Sequence, residues 1–128
     1  MAIWSEAVLG IEGKRVLVVE DEMLIAMDLA MILAEEGIEV IGPCTNVDDA
    51  LQAARESKPD AALLDVDLHG KPVFPVADAL VETGVPIIFH TGRGELDQLR
   101  AAYNSAPVLA KPSDPKTVIK QLDEMLDT

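Results

Sequence analysis

Aromatic side chains are scarce. One Trp, one Tyr and two Phe make up 3% of the 128 residues, while 49% of the chain is hydrophobic, so the core must be aliphatic. The single cysteine, Cys44, excludes an internal disulfide and suits a reducing compartment. Bases are few as well: 10 Lys and Arg stand against 23 Asp and Glu, for a net charge of −13. A surface of that sign repels phosphate backbones, and no basic stretch interleaved with aromatics offsets it, so nucleic-acid binding is not expected. No apolar run approaches the roughly 18 residues of a membrane span. The N-terminus also lacks the basic flank and apolar stretch of a secretion signal. These absences leave a cytoplasmic protein, with proteins or a cation as its partners, as the expectation.

What the chain does have is alternation. A length of 128 residues suits one domain with a real core. Residues 1–13 read as an N-terminal extension, with Trp4, Val8 and Leu9 as a small apolar face, and 14–128 as the domain. The β-branched run at 14–19 predicts a strand ending in Glu20-Asp21-Glu22. A helical pattern follows, with Leu24, Met27, Leu29, Met31, Ile32 and Leu33 on or near one face, stopped by Gly37. Met23, Met27 and Met31 fall at helical spacing, as core or contact residues do. Residues 38–42 predict a second strand, and Asn46 caps a helix over 47–57.

After Pro59 comes Ala61-Ala62-Leu63-Leu64-Asp65, continuous rather than alternating, as in a strand buried on both faces. Val76, Ala77, Leu80 and Val81 mark a third helix that ends at Gly84. Pro86 to His90 predicts a fourth strand, Glu95 to Asn104 a fourth helix, and Val108-Leu109-Ala110 a fifth strand. Asp114 and Pro115 open a last helix, with Val118, Ile119, Leu122 and Leu126 inward. Five strands alternating with five helices argue a parallel sheet covered on both sides.

In such a sheet the carboxyl ends of the strands share one edge, where ligands bind. Alone, Asp65 reads as a turn-forming residue. Here Glu20 and Asp21 end the first strand, Thr91 follows the fourth, and Lys111 ends the fifth. Three crowded carboxylates repel, and one Lys cannot balance them, so either some protonate or a cation binds. An all-oxygen donor set with no His/Cys cluster suits Mg²⁺ or Mn²⁺. A cation beside a carboxylate neutralises an incoming phosphoryl group and lets that carboxylate attack phosphorus, giving an aspartyl phosphate. Lys111 and the Thr91 hydroxyl are placed to hold the transferred oxygens.

Val16-Leu17-Val18-Val19-Glu20-Asp21-Glu22, Leu63-Leu64-Asp65, Thr91-Gly92 and Lys111-Pro112, in that order, resemble the receiver domains of two-component response regulators. The resemblance spans about residues 14–127. It implies a flavodoxin-like doubly wound α/β fold, with a five-stranded parallel sheet of order 2-1-3-4-5 and five helices. It implies Asp65 as phosphoacceptor, Asp21 as direct metal ligand, Glu20 as the outer acid and the backbone carbonyl of Asp67 as a further ligand. Thr91 would be the switch hydroxyl and Lys111 the phosphoryl contact, held by a cis Lys111-Pro112 bond. Asp67 and Arg93 would modulate autodephosphorylation.

The implied function is to take a phosphoryl group from a sensor histidine kinase or a histidine phosphotransfer protein and so switch binding of an unidentified protein target. No enzymatic action on another substrate is implied: at most, the domain phosphorylates itself from a phosphodonor and slowly hydrolyses the product. The last helix closes the sequence, so a stand-alone receiver without a DNA-binding output domain is expected, as a monomer or weak dimer, with no membrane partner.

Phe89-His90-Thr91-Gly92, together with Phe74-Pro75-Val76-Ala77, is similar to a subgroup of stand-alone receivers with a Phe-Ala-Thr-Gly strand end, often associated with unusual histidine kinases. His90 takes the place of that Ala and reads as a strand histidine. Val108 stands where most receivers carry a Tyr or Phe toggle, and Ser113 where Phe is common. The switch is therefore expected to run from Thr91 into Gly92–Asn104. Rival readings are a phosphate sink, an unphosphorylated interaction module and a flavodoxin-like cofactor protein. The last would need a Gly- and hydroxyl-rich phosphate loop where Glu20-Asp21-Glu22 stands.

Overall fold

The computed structural model describes residues 11–92, 103, 106–111 and 114–126. Its parallel strands are β1 (Arg15–Val19), β2 (Glu39–Cys44), β3 (Ala61–Asp65), β6 (Ile87–Thr91) and β7 (Val108–Ala110). They lie in the order β2-β1-β3-β6-β7, with every pairing parallel, which is the expected 2-1-3-4-5 arrangement of the sheet. Four helices lie among the described residues: α1 (Met23–Glu35), α2 (Val47–Ser57), α3 (Phe74–Glu82) and α4 (Pro115–Leu126). The helix expected over 95–104 falls mostly outside the described residues.

Successive strand residues point to opposite faces, and both faces are buried. Leu17, Val19, Ala62, Leu64, Ile87 and Phe89 pack against α2 and α3. Val16, Val18, Leu63 and Ile88 pack against Leu29 and Leu33 of α1 and Val118 and Leu122 of α4. Ile11 is fully buried in this second layer, and the Gly13 amide donates to the Gly37 carbonyl at 2.8 Å. The packed unit thus reaches back into the stretch read as an extension, of which residues 1–10 lie outside the described residues.

The local signals act as their chemistry predicts. Asn46 accepts a bond from the Asp49 amide at 2.8 Å and caps α2. Asp114 accepts one from the Lys116 amide at the start of α4. Gly37 ends α1 at a φ of 87°, a left-handed value that glycine adopts freely.

The inward face of α1 needs correction. The buried positions are Ala26, Leu29 and Leu33, whereas Met23, Leu24, Met27 and Met31 are all more than half exposed. Leu24, Met27 and Met31 repeat with the same helical spacing as the buried set but are displaced by two residues, about 200° around the helix. A helix with two apolar stripes on opposite sides does not reveal by periodicity alone which one faces the sheet.

One element was not foreseen. After β3, β4 (Asp67–Leu68) and β5 (Lys71–Pro72) form an antiparallel hairpin that pairs Asp67 with Pro72 and Leu68 with Lys71. Its turn residues, His69 and Gly70, have φ values of 54° and 86°. Two consecutive positive φ angles define the hairpin turn whose twist matches paired strands.

Candidate functional site

Asp65 is the last residue of the central strand and is buried, 6% exposed. Glu20 follows β1 and is 1% exposed, its Oε2 accepting the Glu22 amide at 3.0 Å where α1 begins. Next along the chain, Asp21 offers Oδ2 to the His69 amide at 3.0 Å. Carboxylate oxygens of Glu20, Asp21 and Asp65 lie within 4.8 Å of one another.

Lys111, just beyond β7, reaches into this group. Its Nζ is 2.6 Å from Glu20 Oε1 and 3.2 Å from Asp65 Oδ2. The first contact joins the Lys111 ammonium to a fully buried carboxylate oxygen as a close, charge-assisted ion pair. Thr91 ends β6 with 2% exposure, and its carbonyl accepts the Lys111 amide at 2.8 Å, which ties these two residues together at the same edge.

The electrostatics follow from one Lys facing three acids. Burial, and then the Glu20 charge, push the Asp65 carboxyl up to about 7 against the opposing pull of Lys111. Burial also works against ionised Asp21, yet the His69 amide bond and contacts with Asp65 and Glu20 bring that carboxyl below its usual value. For Lys111, burial favours the neutral amine, but Glu20 and Asp65 outweigh it and raise the ammonium's pKa. The donor set is all oxygen, three carboxyls gather around one ammonium, and burial with the Glu20 charge disfavours the ionised form of Asp65. Those features fit a hard divalent cation such as Mg²⁺ or Mn²⁺.

The structure brings together five of the residues singled out from sequence: Glu20, Asp21, Asp65, Thr91 and Lys111. Asp67 is exposed at the foot of the hairpin, and its Oδ1 accepts the Gly70 amide at 2.9 Å. Arg93 and Pro112 lie outside the described residues, and with them the expected cis bond. His90 pairs with Asp65 across β3 and β6 and is 5% exposed. Burial, then the Lys111 charge, lower its pKa. With Lys111 it lines a cleft of ≈530 Å³ that Ile25, Leu29 and Ile32 of α1 also line. Sequence reasoning missed His69, whose contribution to the site is a backbone amide. The only signal was the His-Gly pair before Lys71, a two-residue turn of the kind that joins hairpin strands.

A doubly wound parallel sheet with an acidic, lysine-bridged cluster at its carboxyl edge defines the class of this protein. Residues 16–123 match the response regulator receiver domain model, and the chain belongs to that family. Over 102 residues it is 33% identical to the transcriptional regulatory protein PdtaR of Mycobacterium tuberculosis, a match covering 77% of this chain and 50% of that protein. Over 120 residues it is 28% identical to the chemotaxis protein CheY of Thermotoga maritima, covering 88% and 98%. Among solved structures, a CheY-like receiver domain protein from Methanospirillum hungatei JF-1 aligns with a TM-score of 0.80 at 25% identity, covering 91% of this chain and 95% of that one. The chain spans about half the length of PdtaR and of several other curated relatives.

Proposed function

We propose that this receiver domain accepts a phosphoryl group on Asp65 from a phosphohistidine of a sensor histidine kinase or a histidine phosphotransfer protein. The carrying observation is the buried Asp65 carboxyl, with two further carboxyls and the Lys111 ammonium gathered around it. An Asp65 carboxylate oxygen attacks phosphorus while the bond from phosphorus to the donor's imidazole nitrogen breaks, and the imidazole leaves with the bond's electron pair. Lys111 and the Thr91 hydroxyl hold the oxygens of the transferred group.

Asp21 and Asp65 would hold Mg²⁺ or Mn²⁺, with Glu20 behind them and the Asp67 carbonyl as a further ligand. The cation supplies positive charge that offsets both the acid cluster and the phosphoryl oxygens. The chemistry ends on the domain's own residue: slow hydrolysis of the acyl phosphate is the only turnover, modulated by Asp67 and Arg93. The output is altered protein binding, in keeping with a net charge of −13 that disfavours nucleic acid. Among the described residues no helix is long and apolar enough to cross a membrane. Within β7, Val108 is β-branched and too small to act as a rotating aromatic, so Thr91 is the link that passes the change on.

Incubation with acetyl phosphate and Mg²⁺ should add one phosphoryl mass to the intact protein. EDTA should suppress the adduct and Asp65→Asn should abolish it. A full adduct in Asp65→Asn, or one indifferent to EDTA, overturns the reading.

A further inference from the structure

We propose that His69 is a positioning residue for Asp21, acting through its backbone amide, and that the Asp67 carboxylate holds that amide in place. The inference rests on the phosphoacceptor reading above. Asp21 follows β1, and the amide that bonds its Oδ2 at 3.0 Å comes from 48 residues further along the chain. The imidazole Nδ1 is 3.6 Å from the same oxygen, beyond hydrogen-bond range, and the ring is 69% exposed. The amide, not the ring, therefore makes the bond.

An amide can aim at a carboxylate only if its backbone is held. His69 sits at a φ of 54°, which most side chains avoid and which His, Asn and Asp tolerate better. Three features fix it there. The Asp67 Oδ1 accepts the Gly70 amide at 2.9 Å across the turn. The Val73 amide donates to the Val66 carbonyl at 2.9 Å and closes the base of the hairpin. Leu68 and Val73 are 2% and 0% exposed, so the hairpin is rooted in the core.

The result is a rigid donor that takes up Oδ2, fixes the carboxylate plane and leaves the second oxygen for a cation. Outer partners of this kind typically carry 10–100-fold in metal affinity. Asp67 thus acts through its side chain as the cap of the turn, in addition to any part its carbonyl plays.

Calorimetric titration of the full chain with Mg²⁺ tests the clamp. Asp67→Ala should weaken Mg²⁺ binding about tenfold. Asp67→Asn, which loses the charge but keeps a capping oxygen, should restore it to within about twofold. His69→Gly, which keeps the amide and favours positive φ, should bind Mg²⁺ nearly as the wild type does. Gly70→Ala should weaken binding through backbone strain alone, since an added Cβ would have nothing within 4 Å.

In NMR spectra the His69 amide proton should lie downfield in the wild type and Asp67→Asn, and move upfield in Asp67→Ala. Equal loss in Asp67→Ala and Asp67→Asn would assign the effect to charge, and loss in His69→Gly would assign it to the ring. Unchanged affinity in both Asp67→Ala and Gly70→Ala would leave no clamp. Each of these overturns the proposal while the phosphoacceptor reading stands. A wild type that binds no Mg²⁺ overturns that reading, and the clamp with it. Should Asp67→Ala fail to fold, Gly70→Ala decides the matter, through its Mg²⁺ affinity and an upfield move of the His69 amide proton in that variant.

Discussion

Asp65 is under electrostatic load before any phosphoryl group arrives. A carboxyl whose folded-state pKa is raised from 3.8 to about 7 binds more protons folded than unfolded across that interval. Its effect on stability is therefore a penalty that grows as pH rises from 3.8 and levels off above about 7. His90 works in the opposite direction below its ordinary value of 6.5, because its folded-state pKa is lowered. The contrast with Asp65→Asn isolates the Asp65 contribution. In EDTA, the melting temperature of Asp65→Asn should gain on that of the wild type as pH is raised from about 5 to about 8, and Mg²⁺ should close the gap. A gap that stays constant across this range would place the load elsewhere.

The residues of the acid site were legible because each one interrupts an apolar run: Glu20 after Val19, Asp65 after Leu64, Lys111 after Ala110. That Lys111 meets both Glu20 and Asp65 depends on the strand order of the sheet, which came from the resemblance to receiver domains and not from the order of elements along the chain. His69 was illegible for a different reason. Every residue but proline has an amide, so nothing in a side-chain pattern marks the one that bonds Asp21.

Among the elements, α1 separates stability from surface. Leu33 is fully buried against the sheet, while Met27, six positions earlier, is 54% exposed. Leu33→Ala should cost about 2–5 kcal/mol in urea unfolding, through lost burial and the cavity left behind. Met27→Lys should stay within about 0.5 kcal/mol of the wild type. A large loss in Met27→Lys would mean that the apolar stripe of Met23, Leu24, Met27 and Met31 is covered in solution. The β4–β5 hairpin shows the other limit of pattern reading. Its two-residue strands are too short to show alternation, and only the His-Gly turn between them carries a signal.

At the scale of the whole molecule, the parallel sheet does the organising. Its register sets Val16 to Val19 of β1 beside Ala61 to Leu64 of β3, and Ala62 to Asp65 beside Ile87 to His90 of β6. The residues that follow these strands consequently emerge at one edge. This much followed from continuous apolar runs alternating with helical patterns, since such runs are buried on both faces only in a covered parallel sheet. The position of Ile11 in the core did not follow, because a lone Ile ahead of a Gly has no periodicity to read.

The account stands on Asp65 as the residue that takes the phosphoryl group. Borohydride reduction of the protein after incubation with acetyl phosphate and Mg²⁺ converts an acyl-phosphate aspartate to homoserine, and tandem mass spectrometry of the peptides then locates it. The account predicts homoserine at position 65, dependent on Mg²⁺, with Asp21 and Asp67 unreduced and no 2-amino-5-hydroxypentanoic acid at position 20. Reduction of another carboxylate to its alcohol, with Asp65 unreduced, would contradict it.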